Sequence, residues 1–86
     1  MTPSAEAIRA AILDLAQARG PERSFCPSEP ARRFGADWRA LMPAVRAEAA
    51  ALQDEGLIAV TQRGQPVWAG RATGPIRLRL AGAAQA

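Results

Sequence analysis

The chain has 86 residues and a net charge of +3, and all eleven of its basic residues are arginine. At that length it buries roughly 60–65% of the surface its unfolded form exposes, which allows one small core and excludes a second. A single cysteine excludes an internal disulfide, the absence of histidine excludes a plausible single-chain zinc site, and no apolar run is long enough to span a membrane. With no basic-then-apolar leader either, the expectation is one cytoplasmic domain over residues 1–86, with no metal, other cofactor or membrane partner.

Thr2-Pro3-Ser4 offers a capping hydroxyl and a proline near a first helical turn. Ile8, Ile12 and Leu15 recur at i, i+4 and i+7 with Ala11 between them, one apolar stripe of a helix that Gly20-Pro21 ends. Ser24-Phe25-Cys26 reads as a short extended piece, because Pro27 biases Cys26 away from the helical region. Ser28 is expected to cap a second, short helix reaching Phe34, with Glu29 and Pro30 in its first turn and Gly35 as its stop. Asp37 caps a turn carrying Trp38 and Leu41. Pro43 marks the first turn of a third helix over 44–55, ended by Gly56, on which Val45, Ala49 and Leu52 share a face with Leu41.

After Gly56 the periodicity changes. Residues 57–61 are β-branched and apolar and read as a strand. Arg63-Gly64-Gln65 is a turn, Val67-Trp68-Ala69 a returning strand, and 70–75 a loop. The run Ile76-Arg77-Leu78-Arg79-Leu80 alternates strictly, giving a strand with one apolar and one arginine face, and 81–86 reads as a frayed tail. The order predicts a mainly α fold with a small β-hairpin wing, a winged helix–turn–helix. Its core is expected to rest on Ile8, Ile12, Leu15, Phe25, Phe34, Trp38, Leu41, Val45, Leu52, Leu57, Ile58, Val60, Val67 and Ile76.

Charge follows the same boundary. The first 55 residues carry seven arginines against eight acids, a net −1, whereas the last 31 carry four arginines and no acid, a net +4. High-GC coding explains arginine over lysine without any function, but it does not explain the loss of acids after Glu55. In a winged helix–turn–helix the third helix enters the major groove. Its outward face presents Arg46, Ala47, Ala50, Gln53 and Asp54, so Arg46 and Gln53 are the expected base-facing residues. Asp54, with Glu48 at the core edge, repels phosphate, and the same face also reads as a solvated helix with no nucleic-acid role. Arg39, Arg63, Arg71, Arg77 and Arg79 are the expected phosphate contacts, which position a protein without reading sequence. Arginine on an exposed strand also blunts edge-to-edge association, an equally ready account of Arg77 and Arg79. Arg32 and Arg33 point about 100° apart on their helix, so one of them, rather than both, is placed to approach a phosphate.

Trp38 reads as a core plug, and Trp68 as partly exposed and packed under the wing. Cys26 precedes a helix start, where a thiol pKa can be lowered, but no histidine is present to act as a base. It is expected to be inert, and no enzymatic activity is expected.

The segments Cys26-Pro27-Ser28-Glu29-Pro30-Ala31-Arg32, Asp37-Trp38-Arg39-Ala40-Leu41-Met42-Pro43-Ala44-Val45-Arg46, Thr61-Gln62-Arg63-Gly64 and Gly74-Pro75-Ile76-Arg77-Leu78-Arg79 together resemble a small bacterial family, the domain of unknown function numbered three-two-five-three. The resemblance spans nearly the whole chain and implies a fold similar to winged-helix proteins, with no established activity. Pro30 stands where the family pattern implies an aliphatic residue, and Trp68 where it implies a small acid. The function expected is binding of double-stranded DNA by a small regulator or accessory protein. The alternative is a module that uses the same fold to meet a protein partner or a second copy of itself, since fold does not imply function.

Overall fold

A computed structural model of the chain describes residues 2–82; the end of the expected tail, 83–86, lies outside the described residues. Helix α1 spans Ala5–Arg19. It starts there because the Ser4 hydroxyl accepts from the Ala7 amide at 3.1 Å, and it ends where the Gly20 amide closes on the Ala16 carbonyl. Helix α2 is only Ser28–Arg32. Ser28 does not cap it, contrary to expectation: its hydroxyl donates to Cys26 Sγ at 3.1 Å. The Glu29 carboxylate instead reaches back and accepts from the Cys26 amide at 3.3 Å, which suits an anion at a helix start.

A 3-10 turn over Trp38–Leu41 leads into helix α3, Met42–Asp54, with Pro43 in its first turn. Two bonds finish α3, from the Gly56 amide to the Gln53 carbonyl and from the Leu57 amide to the Leu52 carbonyl, both 3.0 Å. That closure requires φ near +79° at Gly56, which a residue without Cβ adopts without a clash.

Strands β1 (Ile58–Gln62), β2 (Gln65–Pro66) and β3 (Arg77–Leu80) form an antiparallel sheet in the order β2-β1-β3. Phe25 adds one bridge on the outer edge of β3, exchanging bonds with Leu78 at 2.8 and 2.9 Å. Helices followed by this hairpin and a third strand make the fold a winged helix–turn–helix. The returning strand is shorter and earlier than expected. It pairs Gln62 with Gln65 and Thr61 with Pro66, then leaves the sheet after one more bond, from the Val67 amide to the Val60 carbonyl at 3.1 Å. Trp68 and Ala69 fall in a turn, not a strand, because α3 captures the backbone there. The tail is held at its start, where the Ala81 amide donates to the Leu57 carbonyl at 3.1 Å.

The helices cover one face of the sheet, α1 over β3 and α3 over β1. Between them lie Ile8, Ile12, Phe25, Val45, Leu52, Ile58, Val60, Ile76 and Leu78, all buried. Small residues close the gaps: Ala11, Ala16, Ala31, Ala49 and Ala69 are buried too, so the many alanines act as spacers that let the elements approach. The core differs from expectation at six positions. Leu15, Phe34, Trp38, Leu41 and Val67 are half-buried at its margin, and Leu57 is 39% exposed because the close of α3 turns it outward. Among the described residues, no helix is long and apolar enough to cross a membrane.

Candidate nucleic-acid interface

The helix α3 and the segment after β2 meet through side chains that a winged helix would be expected to hold out to a ligand. Arg46 and Gln53 lie seven residues apart, two turns along one edge of the stripe formed by Val45, Ala49 and Leu52. Both turn toward the segment that follows β2. Arg46 donates to the Ala72 carbonyl at 2.7 Å and to the Gly74 carbonyl at 3.0 Å. Gln53 donates to the Val67 carbonyl at 2.7 Å and accepts from the Ala69 amide at 2.9 Å. Gln62 completes the clamp, its amide donating to the Thr73 and Pro75 carbonyls at 2.5 and 3.1 Å. The 67–75 segment has almost no ladder of its own, and these three side chains replace it. The seven-residue spacing of Arg46 and Gln53 was visible in the sequence; what they would bond was not.

The expected phosphate-facing arginines divide into two groups. Arg77 and Arg79 lean from β3 toward the end of α1. Arg77 donates to the Ser24 hydroxyl and carbonyl at 3.1 and 3.0 Å, and Arg79 to the Pro21 carbonyl at 3.2 Å. They brace the α1–α2 connection. Arg39, Arg63 and Arg71 are exposed. Arg63 and Gly64 form the two-residue turn of the hairpin, and Arg63 takes φ +53°, a left-handed conformation that costs a residue with a Cβ about 1–2 kcal/mol. Arg71 lies in a loop whose neighbours Gly70 and Ala72 face Met42, Pro43 and Ala47 across a shallow cleft, so it sits beside the amino-terminal half of α3. Arg39 occupies the turn leading into that helix.

Charge along α3 is mixed. Arg39 stands in the turn before it and Arg46 in its amino half, Glu48 follows two residues later, and Asp54 and Glu55 stand at its carboxyl end. Two acids are neutralised locally. Glu55 accepts both forks of Arg9 at 2.5 Å, and Glu29 pairs with Arg19; each carboxyl is held below the usual range, chiefly by its arginine's hydrogen bonds. Between the ends, the outward face of α3 offers only Pro43, Ala44, Ala47 and Ala51 as exposed residues, a smooth surface.

Two tryptophans border this region. Trp68 is 43% exposed, and its indole lies across Gly70, where an added Cβ would fall 2.5 Å from Nε1. Trp38 is half-buried and carries two guanidinium groups over its ring, Arg39 at 4.4 Å and Arg32 at 4.7 Å from the centroid. Trp38 is thus an arginine platform and not the expected core plug. Cys26 is half-buried, accepting from Ser28. Among the described residues, no three potential ligand side chains gather to hold a metal ion.

The chain belongs to the family described as protein of unknown function DUF3253, whose model matches residues 5–81. No curated protein matches it.

Proposed function

We propose that this DUF3253 member binds double-stranded DNA through its phosphates, as a small regulator or accessory factor, with little sequence preference. Arg63 carries the reading. At the apex of a two-residue hairpin turn, asparagine or glycine would adopt the backbone at less cost. An arginine held at φ +53° at that tip is best explained by what its exposed side chain touches. Arg71, in the loop that faces Met42 and Ala47, and Arg39, in the turn leading into α3, both lie near the amino half of that helix, which a recognition helix presents to the groove.

Arg46 and Gln53 act in this reading as positioning residues. Their polar groups engage the loop that carries Arg71, so they set its height above α3 and are not free to select bases. The alanines between them allow a close approach to the duplex while offering no hydrogen bond to a base edge. A protein of this kind holds DNA by shape and charge.

The test is binding to mixed-sequence duplexes across a salt series. Three phosphates neutralised by Arg39, Arg63 and Arg71 contribute about −2.7 to the log–log slope, at roughly 0.9 per contact. Exchanging the duplex sequence should leave the affinity nearly unchanged. The exposed indole of Trp68 favours a second reading, a protein-interaction module. Absence of duplex binding at low salt, where electrostatic attraction is strongest, would leave that second reading standing.

A further inference from the structure

We infer that Arg32, Trp38 and Arg39 form a preorganised clamp for one stretch of duplex phosphate backbone, separate from the wing. The inference rests on the DNA-binding reading and adds Arg32, which comes from a different helix, to its contacts.

Three observations meet at this point. Both guanidinium groups lie over the same indole, at 4.7 and 4.4 Å, although Arg32 belongs to α2 and Arg39 to the turn before α3. Neither is paired with a carboxylate among the described residues, whereas Arg9, Arg19 and Arg33 all are. Asp37 is the acid of this turn, and it makes no ion pair with either. Both arginines are exposed, and Arg39 lines an open groove with Pro3, Phe34 and Leu41, so its outer edge is reachable from solvent. Two like charges held against one ring raise the local positive potential, and an anion beside them relieves it. Stacking on the ring also restricts each planar fork in advance, so less side-chain freedom is lost when a phosphate oxygen is bound. A guanidinium carries five donors, two of which can meet one phosphate side by side.

The full-length chain tests this against a mixed-sequence duplex. Arg32→Ala should flatten the salt slope by about 0.9 unit, the value of one lost phosphate contact. Arg23→Ala, an exposed charge away from the clamp, should leave the slope unchanged. In a Trp68→Phe background, the emission of Trp38 should change on duplex addition, a response that a purely structural stack would not give. A duplex that binds with the wild-type slope in Arg32→Ala, or an equal loss in Arg23→Ala, overturns the clamp and leaves the DNA-binding reading intact. Failure of the wild type to bind any duplex at low salt overturns both.

Discussion

Arg46 reaches the carbonyl of Ala72, 26 residues further along the chain, at 2.7 Å. The side chain best suited to reading a guanine edge is therefore bonded to the backbone of the loop between β2 and β3. A guanidinium hydrogen-bonded to two carbonyls joins the amino half of α3 to the loop bearing Arg71 and makes them one rigid surface. The consequence is that losing Arg46 should alter affinity through the loop, uniformly across sequences, and not at one base pair.

The same logic gives a sharper test at Gln53. Its amide satisfies one carbonyl and one N–H that lie off the sheet, so Gln53→Ala leaves both without their partner. The expected cost is about 1–3 kcal/mol, the penalty of an unsatisfied buried polar group. Hydrogen exchange at the Ala69 amide should accelerate in the variant well beyond the amides of β1. Unchanged exchange at Ala69 would mean that the loop is held by other contacts.

At the hairpin tip, stability and binding should move in opposite directions. Arg63→Asn places a residue that tolerates the left-handed region at φ +53° and should stabilise the chain by up to about 1 kcal/mol. It should also flatten the salt slope for duplex binding by about 0.9 unit. Thermal melts and a salt titration of the same variant read the two effects separately. A variant that is more stable and binds identically would remove Arg63 from the interface.

Gly70 tests the placement of Trp68. An alanine Cβ there would lie 2.5 Å from Nε1 and 2.8 Å from Cε2, so the indole must swing away. Because Trp68 is at the surface, the fold should tolerate the movement. In a Trp38→Phe background, Gly70→Ala should shift the emission of Trp68 with little change in melting temperature. A large loss of stability would show that the indole supports the loop from beneath.

Glu29 sets a pH dependence. Its carboxyl is held below the usual range, first by Arg19 and also by the Cys26 amide. The native state thus binds its proton less readily than the unfolded chain, so this contribution is full above the ordinary value of 4.5 and disappears as pH falls through the lower native value. Glu29→Gln should melt earlier than the wild type at neutral pH, and the two melting curves should converge in acid. Because the pair is about one-third exposed, the effect should be small and should shrink in high salt.

Much of this architecture could be read from local patterning. Ser4 and Gly20 bound α1, Gly56 closes α3, and the switch from helical to alternating apolar spacing at that glycine marks the start of the sheet. Each of these depends on a few adjacent residues, so the sequence by itself determined the helices, the hairpin and the acid-free charge of its carboxyl-terminal third. What Ser28, Trp38, Arg46 and Gln53 do was decided only by the tertiary structure. Ser28 loses the cap to Glu29, whose longer side chain reaches back to the Cys26 amide and still meets Arg19 from α1. Trp38 packs only against the margin of a core filled by Phe25 and aliphatic side chains, and Arg32 from α2 and Arg39 beside it meet its ring. Arg46 and Gln53 turn to the loop after β2 because a segment without a strand partner leaves its carbonyls and amides open, and the nearest long polar side chains on α3 are theirs. Such partners lie many residues away in the chain, and only packing brings them within hydrogen-bonding distance.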